Sequence, residues 1–284
     1  MNQPQNQSTH NGNPNKIKIL VYHRIVDDDR IANSHWTCLH VREFRKHLEL
    51  IERWGFTTIT FHDYRLFLRG ELNLPRKPVI LTFDDGFAEI SDLAFPALQN
   101  FGMKGVVFVV ADRKIKSNIW ERDLAVPRGQ LLRRDQIIEL AKEGFEIGSH
   151  SFSHPRLTEL GEDDAWREIS HSRLIIEDLI GSPLRSFSYP YGLVNENLKK
   201  MVRNAGYSIG CGVFSGSALF CHDLFELRRI TMRNTTHSLR FALQLLTPYQ
   251  RYEYLRWKTV RFLTNGHQNH NWQSRHIPVA EHLN

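Results

Sequence analysis

Short apolar runs alternate with longer segments of helical period along most of the chain. The runs predict strands over 17–22, 57–61, 79–83, 105–110, 145–149, 186–189, 207–210 and 227–232. Between them the pattern predicts helices over 41–54, 63–69, 90–101, 134–142, 161–180, 196–205 and 238–246. The first of these sets Phe44, Leu48 and Ile51 on one side, the spacing of a core-facing stripe. Strands that alternate with helices imply a parallel sheet with the helices outside. The conspicuous polar residues fall just after the strands, which suits a β/α barrel with its site at the C-terminal face of the strands.

Two of those polar clusters carry the chemistry. Val79-Ile80-Leu81-Thr82-Phe83 is a buried-strand pattern, and it runs directly into Asp84-Asp85-Gly86. Two adjacent carboxylates repel, so a positive charge must sit nearby or one of them must hold a proton. A divalent cation would satisfy one Asp and leave the other free as a base. Gly86, having no Cβ, permits the turn that brings both side chains to one place. The second run ends in Ser149-His150, and His154-Pro155 follows. Four-residue spacing places His150 and His154 on one side of a single helical turn, which Pro155 closes. Two His and one Asp would leave an open position for water on zinc, the arrangement of a catalytic site. There the metal would bring the pKa of water towards about 7 and polarise a carbonyl. Taken singly, Asp-Asp-Gly is an ordinary turn and His-x-x-x-His ordinary surface chemistry. It is the pair, each after an apolar strand, that points to a shared metal site.

Thr82-Phe83-Asp84-Asp85-Gly86 together with His150-Ser151-Phe152-Ser153-His154-Pro155 resembles the motif pair of the polysaccharide deacetylases of NodB homology, carbohydrate esterase family 4. The resemblance runs over about residues 17–245 and implies a distorted (β/α)7 barrel. It also implies hydrolysis of N-acetyl or, less often, O-acetyl groups on sugars. Carried over, Asp84 is the base, and Asp85, His150 and His154 hold one divalent ion; zinc, cobalt or nickel suits these ligands. Ser188-Tyr189-Pro190-Tyr191-Gly192 matches a third motif, in which the backbone N–H after the Pro holds the oxyanion, so Tyr191 inherits that role. Many members carry an Arg where this chain has Ser188, and that Arg orients the base. Arg228 or Arg229 could supply the charge instead, and Arg229 is also a candidate substrate contact. No late Leu-x-His motif supplies an acid. The strand ending in Tyr22-His23 resembles the poly-N-acetylglucosamine deacetylase branch, in which an early His is the proposed acid, so His23 is the candidate here.

Bulk composition changes this picture little. With 284 residues, 41 % hydrophobic and 24 % charged, the chain suits one large globular domain. We expect a catalytic domain over 16–263, with flexible tails at 1–15 and 264–284. No apolar run is long enough for a transmembrane helix, and nothing suggests a nucleic-acid partner. Residues 1–15 do not read as a secretory signal, which makes the cytoplasm the expected location unless a leader precedes them. Three cysteines without metal-like spacing predict free thiols. The segment 111–131 lacks a regular pattern and suits a groove wall, with Trp120 available to stack on a sugar ring. Net charge is +6 and uneven. Residues 228–261 carry eight Arg and Lys against Glu253, interleaved with tyrosines and a tryptophan. That region reads first as a solvated helix face, and second as a contact for a nucleotide-linked or lipid-linked substrate. Besides an N-deacetylase, the sequence leaves open a hydrolase of O-acetyl esters or cyclic amides, and a catalytically silent carbohydrate-binding protein.

Overall fold

The computed structural model describes residues 12–121 and 127–263. The expected tails fall almost wholly outside the described residues. Ten strands are present among them: β1 (Lys18–Tyr22), β2 (Arg24–Val26), β3 (Cys38–His40), β4 (Thr57–Thr58), β5 (Pro78–Phe83), β6 (Val106–Val109), β7 (Glu146–Ser149), β8 (Ser186–Ser188), β9 (Ile209–Cys211) and β10 (Ile230–Thr231). The helices are α1 (Asp29–Ser34), α2 (Val41–Arg53), α3 (Phe61–Leu68), α4 (Phe95–Asn100), α5 (Arg134–Lys142), α6 (Glu162–Ile180), α7 (Glu196–Asn204), α8 (Ser238–Leu246) and α9 (Tyr249–Leu263).

The main sheet is all parallel and runs in the order β10-β1-β5-β6-β7-β8-β9, with β4 paired to the start of β5. A further parallel bridge, Cys211 to Leu227, brings the chain just before β10 against β9 and completes the ring. This is a distorted (β/α)7 barrel. Helices cover the strands outside and apolar side chains fill the barrel inside, so both faces are buried and β5 is buried throughout. The outer layer sets Leu81, Val107 and Ile147 against the inward faces of α2, α5 and α6. A smaller cluster of Ile19, Ile80, Phe108, Ile209 and Cys211 fills the barrel, and Phe61 and Tyr64 of α3 join it. Parity then places alternate residues of β5 inside: Ile80 is in the barrel cluster, and Thr82 is hydrogen-bonded there to Arg229.

Register fixes the site. Tyr22 on β1 lies opposite Phe83 on β5, so His23 and Asp84 leave their strands side by side. Ser149 lies opposite Phe187, which brings His150 level with Ser188. Several elements differ from the sequence reading. The strand at 57–61 stops at Thr58, because Thr60 caps α3 in a reciprocal pair with Asp63. The helix at 90–101 begins as a wide π-helical turn, Ile90–Ala94, before α4. The small β2–β3 sheet and α1 had no clear periodic signal, and α9 falls in the region read as a solvated helix face. Cys38, Cys211 and Cys221 are free thiols.

Gly148 shows how tightly the barrel is filled. A Cβ there would overlap the Phe108 ring and come within 2.8 Å of Ser186 Oγ. Gly148→Ala is therefore expected to destabilise the fold by roughly 1–3 kcal/mol, read as a lower denaturant midpoint at unchanged slope. A wild-type midpoint would show that the barrel accommodates the methyl group.

Candidate active site

Asp84 and Asp85 follow β5, and the chain must turn sharply for both to face one centre. It does so with Asp85 at φ 71° and Gly86 at φ 71°. A Cβ on Gly86 would also press on Val109, 3.1 Å away. After β7, Ser151 and His154 both take φ 66°. Positive φ in residues other than glycine costs of order 1–3 kcal/mol each and gathers at functional sites. His150 and His154 therefore do not share a helical turn, as four-residue spacing had suggested. A left-handed residue at each end of the loop folds it back on itself instead. Ser151 Oγ accepts from His154 N–H at 3.0 Å. The Glu168 carboxylate on α6 accepts from Ser153 N–H at 2.8 Å, which holds the loop to the barrel.

The result is a buried group of three. One potential ligand atom from each of Asp85, His150 and His154 lies within 4.8 Å of the others. Both imidazole Nε2 atoms stand 3.3 Å from Asp85 Oδ1. His150 Nδ1 donates to Ser188 O at 2.8 Å, which fixes the tautomer and leaves the Nε2 lone pair facing Asp85. Two imidazoles and a carboxylate so arranged could hold a metal ion. Burial alone would push the Asp85 carboxyl up, but His150 and His154 hold it below the carboxylate range.

Asp84 has different company. Arg229 Nη1 and Nη2 donate to its two oxygens, each at 2.7 Å, and Ser188 Oγ donates at 3.1 Å. The Arg229 side chain is 0 % exposed, and its Nε donates to Gly212 O. Burial pushes Asp84 up, but the guanidinium, with His150, holds it below its usual value. Arg229 is thus fully engaged inside the barrel, which removes it as a direct sugar contact. Of the two arginines considered from the sequence, it is the one that meets Asp84. Arg228 turns outward to the carbonyls of Phe214 and Gly216.

The other expected residues come to the same mouth. Trp120 stacks on His154, with ring centroids 4.3 Å apart, so one of its faces is already covered. Tyr191 has φ 60°, and its ring meets His154 edge-on at 4.8 Å, with the Arg156 guanidinium 4.4 Å from its centroid. His23 packs against the edge of Trp36. Burial lowers its pKa, while Asp85 and Asp84 pull it upward. Glu121 was not anticipated: burial, with Asp85 nearby, pushes its carboxyl up to about 7. It sits in the irregular segment after β6, where no periodicity marks it.

Residues 71–210, just under half of the chain, match the polysaccharide deacetylase family. Particular relatives share its length unequally. YxkH of Bacillus subtilis (strain 168), which carries the polysaccharide deacetylase name, is 26 % identical over 217 residues, 76 % of this chain and 71 % of that protein. The poly-beta-1,6-N-acetyl-D-glucosamine N-deacetylase of Escherichia coli (strain K12) is 24 % identical over 281 residues, 84 % of this chain but only 39 % of that protein. Among solved structures, the Streptococcus pyogenes deacetylase PplD superposes with a TM-score of 0.69 at 24 % identity, covering 83 % of this chain and all of its own. IcaB from Ammonifex degensii gives 0.65 at 20 % identity, covering 84 % of this chain and 97 % of its own. These likenesses place the fold among the NodB-type deacetylases.

The Asp84–Arg229 pair predicts a pH response. A depressed carboxyl pKa contributes stability above the unfolded value, near about 4, and loses it as pH falls through the folded value. In Arg229→Gln the guanidinium no longer opposes the effect of burial on Asp84, so the acidic limb of the rate profile should move towards neutrality. Stability should fall by about 3–5 kcal/mol, since a buried charge loses its partner. An unmoved acidic limb in a folded variant would show that Arg229 does not set the Asp84 titration.

Proposed function

We propose that this chain hydrolyses the acetamide of an N-acetylated sugar, with one divalent cation held by Asp85, His150 and His154. The observation that carries the reading is the division of labour between adjacent carboxylates. Asp85 lies against two imidazoles, while Asp84 is held apart by Arg229 at 2.7 Å. The relatives' names support the substrate class: besides the E. coli enzyme, the peptidoglycan-N-acetylglucosamine deacetylase PgdA of Listeria monocytogenes is 23 % identical over 185 residues, about a third of its length.

In this reading a cation held by Asp85, His150 and His154 would supply Lewis acidity and lower the pKa of a water at the site. Asp84 takes the proton from the attacking water. Kept ionised by Arg229, it is ready as a base, and a carboxylate has lone pairs beyond those its present partners use. The Tyr191 backbone N–H faces the charge that develops on the acetyl oxygen; one such fixed donor contributes about 3 kcal/mol in comparable sites. His23, next to Asp84 by strand register, protonates the departing amine. Trp120 and Tyr191 flank His154 and form the walls against which a sugar ring would lie.

The direct test is acetate release from N-acetylglucosamine oligomers, with O-acetyl esters and cyclic imides beside them. Release should vanish with a chelator and return with zinc or cobalt. His150→Ala and Asp85→Ala should lose the metal. Asp84→Asn should keep one equivalent and lose about 10²–10⁴-fold in kcat. Release that survives complete metal removal would sink the reading, and a preference for esters or imides would reassign the substrate.

His23→Ala gives a separate expectation. Metal content should stay at one equivalent while kcat falls by about 10²-fold or more. Full turnover in that variant would remove His23 from the mechanism.

A further inference from the structure

The flank of the barrel carries a feature that the active site does not use. Eleven large apolar side chains are exposed among the described residues, and five of them fall on α8 and α9. Leu239, Leu243 and Leu246 are 77 %, 52 % and 51 % exposed, and Tyr252 and Leu255 are 62 % and 60 % exposed. On α8 the three leucines recur at the spacing of one helical face. Leu243 and Tyr252 line one shallow depression with Thr247 and Pro248, so the exposed faces of the two helices are continuous. Single exposed leucines are ordinary on a protein surface, whereas a contiguous patch marks a contact.

The cause lies in the sequence of α8, which is apolar nearly all round. Its inward side is used: Phe241 and Leu245 are buried, and the Phe241 ring stacks on His47 of α2. A helix of this composition is ordinarily covered on both sides, yet the described residues leave the leucine face open. The direction of α8 follows from its ends. It begins shortly after β10 reaches the mouth. At its other end Lys18, on the first residue of β1, donates to Gln244 O, Leu245 O and Thr247 O. The helix therefore runs down the flank from mouth to base, and the leucine face lies beside the mouth without covering it.

Charge selects the partner. Exposed Arg240 lines the same depression as Leu243 and Tyr252. Exposed Arg251 and Lys258 stand one turn before and one turn after Leu255, adjacent to it on the helix surface. The carboxylates at the border are already met, Glu253 by Arg256 at 3.7 Å and Glu43 of α2 by Lys46 at 2.8 Å. An apolar strip edged with cations matches a bilayer surface, whose acyl boundary takes the leucines and whose anionic headgroups take the guanidinium and ammonium groups. A second copy fits less well, because a two-fold contact sets the patch against itself and brings cations face to face. With nine and fifteen residues, α8 and α9 are too short to span the hydrocarbon and would lie in the interface. We propose that the α8–α9 face docks this chain peripherally on an anionic lipid membrane. The proposal goes beyond the deacetylase reading and does not depend on it.

The test is flotation of the full chain with two kinds of vesicle, phosphatidylcholine alone and phosphatidylcholine with phosphatidylglycerol in equal parts. The protein should float with the anionic vesicles and bind the neutral ones at least about tenfold more weakly. High salt should weaken the anionic binding. Leu239→Ser/Leu243→Ser should lower the partition coefficient at least about tenfold, since both side chains lose their burial in the acyl boundary. Arg240→Gln/Arg251→Gln should lower it about tenfold by removing two headgroup contacts. All four positions are exposed, and an unchanged denaturant midpoint checks that each variant folds. Absent flotation, or flotation equal in wild type and the leucine variant, would overturn the proposal. So would a mass that rises with concentration in wild type but not in the leucine variant, without flotation, which would give the face to a second copy. Leucine-sensitive flotation without acetate release from any sugar would uphold the docking face and fail the deacetylase reading instead.

Discussion

The site depends on a buried charge pair that crosses the barrel, Arg229 to Asp84. Two carboxylates in sequence at the end of a strand cannot both be ionised in a dry interior unless each has its own positive partner. Desolvating a carboxylate and a guanidinium costs several kcal/mol per ion, and excellent geometry with further hydrogen bonds is needed to offset it. Here the geometry is bidentate, and Ser188 Oγ, Thr82 Oγ1 and Gly212 O complete the network. Because Arg229 is thus fixed, it supplies the main charge that keeps Asp84 ionised, while both imidazoles lie against Asp85 Oδ1. The pair also ties the end of β5 to the chain entering β10, two strands that β1 separates in the sheet.

The second constraint is backbone conformation. Asp85, Ser151, His154 and Tyr191 all have positive φ, and all lie at the mouth. Extended strands send neighbouring side chains to opposite faces, so no regular continuation of β5 could aim Asp84 and Asp85 at adjacent points. The left-handed residues break that alternation. Their cost is carried by the packed barrel beneath, where Phe108 and Ile80 leave the strands little freedom to shift.

Much of this was legible in the sequence, for definite reasons. Apolar runs as short and continuous as 79–83 have few alternatives to a doubly buried strand, and a polar pair at such an exit has nowhere to go but the mouth. What failed was local geometry. Four-residue spacing between His150 and His154 is a helical signal only when the intervening backbone is helical, and Ser151 at φ 66° is not. Strand 57–61 was over-extended because Ile59 and Phe61 suit a strand as well as they suit the entry to α3. The reciprocal capping of Thr60 and Asp63 decided otherwise. Glu121 had no signal at all, since its place near Asp85 is set by tertiary contacts of an irregular segment.

Arg229 shows how far side-chain chemistry can be relocated on one scaffold. The resemblance predicts an arginine on β8, where this chain has Ser188. A serine there leaves a volume beside Asp84 that the guanidinium enters from the opposite strand, and the Ser188 hydroxyl then bridges the two, accepting from Arg229 at 2.9 Å while donating to Asp84. The charge therefore reaches the carboxylate from β10 and not from β8. This rerouting has a structural consequence. Drawing Arg229 inward fixes the chain as it enters β10 beside β1, and α8 and α9 follow from there.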